Sequence, residues 1–404
     1  MAGRYGRGLT LAVGQSGGGT PVINASLAGV VSQAQRLGIR RILGMVHGLR
    51  GLLDEQFLDL SAQSPDALAL LADTPSAALG LCRFKIDPDQ ADQVVAILRK
   101  WQVDAFLYIG GNDSAATTRS VAVAASDARY DLACLAIPKT IDNDLVVTDH
   151  TPGYGSAARL VASLSRDLAL DAAAMRHEEQ VRILEVYGRD TGWLAAASTL
   201  GQLQRDAPHI VLVPERPFDA DHFLAGVERH VARAGYCTVV AGEMLRDRTG
   251  ALVGSNRADH HDAFGHAETR RPGAFLRDLV QRRLGIRAKD DRPGSVQKVA
   301  GDLASTVDRA EAFALGQEAV RAVLAGQSDC MVTLERVADQ PYACGYGRAP
   351  LTMVAGNVKA LPEEYLDAQG QPTAAFRRYA IPLIGEPLPP RAVLTLPLAA
   401  APCR

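Results

Sequence analysis

The stretch Ala133-Cys134-Leu135-Ala136-Ile137-Pro138-Lys139-Thr140-Ile141-Asp142-Asn143-Asp144 decides how the chain is read. It opens on an apolar run without alternation, the pattern of a strand buried on both faces of a parallel sheet. It closes on an ammonium, a hydroxyl and two carboxylates. Charged groups at the mouth of such a strand suit a base, a metal ligand and an anion-binding cation acting together. An Asx turn with solvated charges is the plainer alternative; Lys139 and Thr140 in the same turn weigh against it.

The same rhythm extends outward. Apolar runs at Leu9–Val13, Ile42–Val46, Ala105–Ile109, Val181–Val186, Ile210–Val213 and Thr238–Ala241 predict further buried strands. Helical patterns fall between them at Ala91–Trp101, Ala115–Ala125, Ser156–Met175 and Ala220–Ala234. A βαβα alternation indicates a doubly wound α/β architecture. Such sheets bind ligands at the carboxyl ends of their strands, where the Gly-rich and charged segments lie.

Bulk properties narrow the function classes. The chain has 404 residues, 47% hydrophobic and 22% charged, with a net charge of -2. That length fits two or three domains or two large lobes. The near-neutral charge gives no broad pull toward nucleic acid or membrane, so any anion site is a local cluster. Met1 to Thr10 lacks the apolar core of a signal peptide, and no run of apolar residues is long enough to span a membrane. The cysteines, Cys82, Cys134, Cys237, Cys330, Cys344 and Cys403, form no C-x-x-C pair, which suits reduced thiols in a cytoplasmic protein. Asp247–Arg271 lacks apolar periodicity and is expected to be a mobile loop. Its His260, His261 and His266 are read as surface histidines, since no spacing completes a metal site.

Three more segments carry chemistry. Gly14-Gln15-Ser16-Gly17-Gly18-Gly19-Thr20-Pro21 follows the first strand. Its glycines let backbone N–H groups face a phosphate, although a plain tight turn has the same composition. Ile109-Gly110-Gly111-Asn112-Asp113-Ser114 repeats the pattern, with Asp113 placed to hold Mg²⁺ or Asn112 to cap a helix. Glu185-Val186-Tyr187-Gly188-Arg189-Asp190-Thr191-Gly192 offers Arg189 as a bidentate phosphate ligand or as a surface partner of Asp190.

Taken in order, these segments resemble the phosphofructokinase family from about Leu9 to Leu334. The family's GGxxPxxN loop is matched by Gly17 to Asn24, and its LGxxRF by Leu79 to Phe84. Its acidic turn is matched by Gly110 to Ser114, its P(G/K)TIDND by Pro138 to Asp144, and its MGRxxG by Tyr187 to Gly192. Its late DRxxAxxLGxxAV helix is matched by Asp308 to Val320. The resemblance implies an α/β fold of two doubly wound, mainly parallel-sheet lobes with the active site in the cleft between them. Residues 1–150 would form most of the donor-phosphate lobe. Residues 151–335 would form the sugar-phosphate lobe, with the chain recrossing between lobes. Residues 336–404, rich in proline from Pro362 onward, are expected to be an irregular extension.

Residue by residue, the resemblance implies that Asp142 is the base for the sugar 1-hydroxyl, positioned with Thr140 and Asp144. Lys139 and Arg189 would act beside it. Gly18, Arg83, Asp113 and Ser114 would lie around the donor phosphates and Mg²⁺, with Asn112 a second metal candidate. Tyr187, Gly188, Arg189, Glu243 and Lys298 would hold the sugar phosphate. Lys289, with Arg182 as a second cation, falls where the family draws on a neighbouring subunit, which implies a homodimer or homotetramer with shared sites.

Two positions speak to the donor. ATP-using members have Gly where this chain has Asp113 and Lys139. A carboxylate at Asp113 repels an α-phosphate, and an ammonium at Lys139 neutralises inorganic diphosphate. Both match the diphosphate-dependent subgroup, which implies reversible transfer from diphosphate to fructose 6-phosphate in glycolysis or gluconeogenesis. Three positions depart from the family: Asn112 replaces an Asp, Tyr187 a Met and Ser295 a His. Tyr187 and Ser295 keep sedoheptulose 7-phosphate open as acceptor, Asn112 keeps open a sugar-phosphate sensor without turnover, and ATP stands as the rival donor.

Overall fold

The computed structural model describes residues 8–202, 207–254 and 271–392. Eleven strands are found among them: β1 (Thr10–Gln15), β2 (Arg41–Met45), β3 (Phe57–Asp59), β4 (Ala105–Gly110), β5 (Ala133–Pro138), β6 (Val181–Val186), β7 (His209–Leu212), β8 (Cys237–Gly242), β9 (Ala288–Asp291), β10 (Cys330–Asp339) and β11 (Tyr342–Pro350). The seven apolar runs become β1, β2, β4, β5, β6, β7 and β8 within a few residues of each expected edge. The four helical patterns become helices Pro88–Lys100, Asn112–Asp127, Tyr154–Ala174 and Ala220–Ala234. Local chemistry fixes their starts: Asp87 caps the first with a reciprocal bond from Gln90 and a proline inside the first turn.

The strands form two sheets. The larger has the order β11-β10-β5-β4-β1-β2-β3, and the smaller β7-β8-β6-β9. Pairing is parallel except at the two edges of the larger sheet, where β3 and β11 run antiparallel. In the larger sheet the winding reverses between β1 and β4, and in the smaller around β6. A crevice opens outside the strand ends at such reversals.

Each lobe buries its own core. Helices Ile23–Arg36 and Thr306–Leu324 cover one face of the larger sheet, and Pro88–Lys100 covers the other. The first two lie very close: a Cβ on Gly29 would stand 2.0 Å from Phe313 O, and one on Gly316 2.1 Å from Ser26 O. Only glycine fits there. Asp308 anchors the junction of the lobes. Its carboxylate accepts from the backbone of Gly153 and Ser156 at 2.9 Å each, fixing the start of helix Tyr154–Ala174.

The expectation for the C-terminal region needs correction. Described residues beyond 336 are ordered, not irregular. β10 and β11 form a hairpin that extends the larger sheet, and helices Leu351–Val354 and Ala374–Ala380 follow. The chain also returns to the first lobe earlier than 335, at helix Thr306–Leu324 and β10. The hairpin went unread although β10 opens on the buried run Cys330–Leu334, because its outer half is largely exposed and carries glycines, so no second apolar run follows. The expected loop at 247–271 falls largely on residues 255–270, outside the described residues, as do His260, His261, His266 and Cys403. The remaining cysteines, Cys82, Cys134, Cys237, Cys330 and Cys344, are free thiols. No helix among the described residues is long and apolar enough to cross a membrane.

Candidate active site

Five strand ends build the site. From the first lobe come the loop after β1 with Gly17 and Gly18, the turn after β4 with Asp113, and the loop after β5 with Lys139, Asp142 and Asp144. From the second come the turn after β6 with Arg189 and the end of β8 with Glu243. The short helix Val296–Val299 after β9 adds Lys298.

Lys139 is 3% exposed, and its ammonium donates to Gly18 O at 2.7 Å. A Cβ on Gly17 would lie 3.1 Å from that ammonium, and one on Gly18 3.6 Å from Lys298 Cδ. The glycine loop is thus pressed between two lysines from opposite lobes. Burial pushes Lys139 down to about 8 against the pull of Asp142, and the charges of Lys298 and Arg83 add to the depression. Burial and Arg83 lower Lys298 as well. Three cations crowded beside backbone N–H groups suit a polyanion.

The carboxylates show the converse. Burial, Asp144 and Glu243 push Asp142 up to about 7, against Arg189 and Lys139. Burial raises Asp144 and carries Glu243 to about 7. Arg189 Nε stands 3.9 Å from Asp142 Oδ2, beyond hydrogen-bond range. Arg189 has a left-handed backbone (φ 48°) held by its own N–H on Glu243 Oε1 at 3.1 Å. Thr191 Oγ1 lies 3.1 Å from Asp142 O and ties the two lobes at the base. A carboxyl poised near neutrality beside a cation can take a proton from a hydroxyl.

The model of the family described as Phosphofructokinase matches residues 10–323. The chain belongs to the phosphofructokinase family. It is 43% identical over 378 residues to the pyrophosphate–fructose 6-phosphate 1-phosphotransferase of Xanthomonas campestris pv. campestris, covering 92% of this chain and 90% of that one. It is 33% identical over 360 residues to the sulfofructose kinase of Alkalicoccus urumqiensis, covering 89% and 92%. The solved pyrophosphate-dependent phosphofructokinase of Nitrosospira multiformis superposes with a TM-score of 0.86 at 34% identity, covering 96% of this chain and 95% of that one.

Gly18, Arg83, Lys139, Asp142, Asp144, Arg189, Glu243 and Lys298 converge through these contacts and mutual charge effects. Thr140 Oγ1 accepts from Asp142 N at 3.1 Å and so shapes the loop. Tyr187 lies under Lys298, whose ammonium is 5.6 Å from the ring centre. Gly188 adopts φ 139°, which lets Arg189 turn into the cleft. Ser114 is buried beneath Gly110.

Arg182 and Lys289 do not join this chain's site. They pair in register near the starts of β6 and β9, away from Arg189, and both bind Glu179. A role for them in catalysis requires a second copy of the chain. Asn112 also departs from its metal assignment. Its amide oxygen accepts from Gly356 N at 2.9 Å, and its amide nitrogen donates to Asn357 O. Among the described residues no group of three or more His, Cys, Asp or Glu side chains is placed to hold a metal. Asp113, on the first turn of its helix, leaves a one-carboxylate donor set. That fits Mg²⁺, which takes most of its remaining ligands from substrate phosphates and water.

Sequence reasoning missed Gln297 and Lys359. Gln297 Oε1 accepts from Tyr187 N at 3.0 Å and orders the sugar-side turn. Lys359 N donates to Asp144 O at 2.8 Å. Gln297 does carry a signal, since it takes the Gln place where Pro293 to Lys298 match the family's LGxxQR segment, and only its role went unread; Lys359 lies beyond the family match and has none.

Proposed function

We propose that this phosphofructokinase transfers a phosphoryl group from inorganic diphosphate to the 1-hydroxyl of fructose 6-phosphate, giving fructose 1,6-bisphosphate and phosphate. The reading rests chiefly on one observation: a buried ammonium, that of Lys139, faces the glycine loop beside the raised carboxyl of Asp142. A donor without a nucleoside has no handle except its charge, and Lys139 and Arg83 supply the matching charge.

The sugar oxygen O1 attacks the terminal phosphorus, the bridging P–O bond breaks, and Asp142 takes the hydroxyl proton. Arg189 and Lys298 hold the sugar phosphate, and Glu243 fixes Arg189 through its N–H. Mg²⁺ held by Asp113 and the donor phosphates would neutralise charge on the transferring group. Diphosphate and the sugar ester are close in transfer energy, so the reaction runs in both directions. A homodimer or homotetramer would let Lys289 and Arg182 reach a neighbour's sugar phosphate, and the free thiols suit the cytoplasm.

Purified protein assayed with Mg²⁺, fructose 6-phosphate and each donor separately tests this. Turnover with diphosphate and none with ATP is expected. Turnover with ATP alone would overturn the donor assignment. Sugar-phosphate binding without turnover on either donor would make the chain a sensor.

A further inference from the structure

The segment 356–361 follows helix Leu351–Val354 and lies outside the family match at 10–323. It touches three parts of the site: the start of the donor helix, the Asp144 loop and the Arg189 turn. At its start, Gly356 and Asn357 are bonded to both ends of the Asn112 amide, one residue before Asp113. In its middle, Lys359 N donates to Asp144 O at 2.8 Å. The Lys359 ammonium donates to Asp149 O at 2.8 Å and Thr148 O at 3.2 Å, and reaches Asn143 Oδ1 at 3.4 Å. On the other side Trp193 Nε1 donates to Lys359 O at 3.1 Å, and the ammonium sits 5.3 Å from the Trp193 ring centre. At its end, Leu361 N and Gly192 N share Glu215 Oε1 at 2.8 and 2.9 Å.

We propose that residues 356–361 are a strap that holds the donor helix, the Asp142–Asp144 loop and the Arg189 turn in one geometry, with Asn112 and Lys359 as its positioning residues. The inference rests on the phosphoryl-transfer function above but assigns residues that function does not use. Three donors on the ammonium meet three acceptors, so losing it strands the carbonyl of Thr148, while Asp149 O keeps the Tyr379 hydroxyl at 2.8 Å. The strap also accounts for the amide at position 112. A carboxylate there keeps the Gly356 contact, loses the donor to Asn357 and faces its carbonyl oxygen with like charge. Asn112 is thereby a structural anchor, and metal binding falls to Asp113.

The test uses Asn112→Asp, Lys359→Met and the double variant, in full-length protein carrying Trp101→Phe so that Trp193 is the sole tryptophan. A slack strap misplaces reacting groups, so kcat should fall by about a hundredfold or less in each single variant, with KM for diphosphate little changed. The Mg²⁺ concentration for half-maximal rate should not move in Asn112→Asp. The double variant should be no worse than Lys359→Met, since both act through one segment. Trp193 emission should shift in Asn112→Asp although Asn112 does not touch Trp193. Melting curves on Asn112→Asp, a change at a helix start, establish that it is folded. Unchanged Trp193 emission, a lowered Mg²⁺ requirement, or losses that multiply in the double variant would each overturn the strap. The emission arm needs no turnover, so an inactive wild type would refute the function and leave the strap tested.

Discussion

One loop, residues 138–153, carries two charged clusters that behave in opposite ways. At its start, Asp142, Asp144 and Glu243 lie among Lys139, Arg189 and Lys298 and act on them through charge at longer range. Arg189 Nε is 3.9 Å from Asp142, and both Asp142 and Glu243 rise to about 7 on burial. At its end, His150 is clamped between Asp149 at 2.8 Å and Glu311 at 2.7 Å. Arg336 binds Asp149 at 3.1 Å, and Tyr342 donates to Glu311 at 2.6 Å. Burial opposes charge here too, yet the hydrogen bonds win: His150 is raised and Asp149 is held down to about 2. Charges closed into short hydrogen bonds hold the fold, and charges that act on one another at longer range leave their ionisation open to a ligand.

Breaking the first cluster should cost activity and little stability. We predict that Asp142→Asn lowers kcat by about 10²–10⁴-fold, the usual contribution of a positioned base. Sugar phosphate should still bind, and the melting temperature should hold or rise, since the substitution removes a carboxyl whose charged form burial disfavours. A large drop in melting temperature with activity retained would place Asp142 in the wrong cluster.

Breaking the second should do the reverse. We predict that Glu311→Gln, which takes the carboxylate from between His150 and Tyr342, destabilises the fold by about 3–5 kcal/mol. Denaturant unfolding measures that loss. The kcat of the folded fraction should stay close to wild type; a collapse in kcat at full stability would mean the His150 cluster serves catalysis directly.

The two clusters differed equally in how far the sequence disclosed them. Asp142, Lys139 and Arg189 each sit in a short motif at a strand end, where backbone geometry alone brings them to the crevice. The seven apolar runs gave the parallel strands for the same reason: burial on both faces leaves a local signature. The partners of His150 lie on a distant helix and on β10 and β11, and Lys359 reaches the Asp144 loop from more than 200 positions away. Such contacts exist only once the lobes are packed, and Arg336 and Tyr342 sit in the half-exposed outer part of the hairpin, past its one apolar run Cys330–Leu334. Asn112 misled for a related reason, because its amide answers to a turn that no nearby residue encodes.

A subtler way to sharpen the contrast is to remove the donor's cation and leave the base. We predict that Lys139→Gly raises KM for diphosphate by about 10–100-fold, the worth of a charge-assisted hydrogen bond. KM for fructose 6-phosphate should change far less. Steady-state kinetics with each substrate varied in turn separates the two, and an unchanged KM for diphosphate would mean that Lys139 does not read the donor.

The smallest perturbation is pH, and it should move the clusters apart without any substitution. Asp142 must be ionised to take a proton, so a carboxyl at about 7 places the acid limb of kcat/KM for diphosphate near there. Lys139 must be charged to hold diphosphate, so an ammonium at about 8 places the alkaline limb near there. The profile should be a narrow bell. Stability follows different signs. His150, raised above its ordinary 6.5, contributes fully below that value and loses its contribution as pH rises through the folded pKa. Asp149, depressed to about 2, contributes above its ordinary 3.8 and loses it only as pH falls toward 2. Between these limits the His150 cluster is at full strength. Raised carboxyls at Asp142 and Glu243 act in the same direction, favouring the fold at lower pH and ceasing to as pH rises through about 7. At about pH 5.5 the protein should therefore be nearly inactive yet melt no lower than at about pH 8, and activity should return on readjustment. Activity and melting temperature falling together on the acid side would show that the two clusters are one.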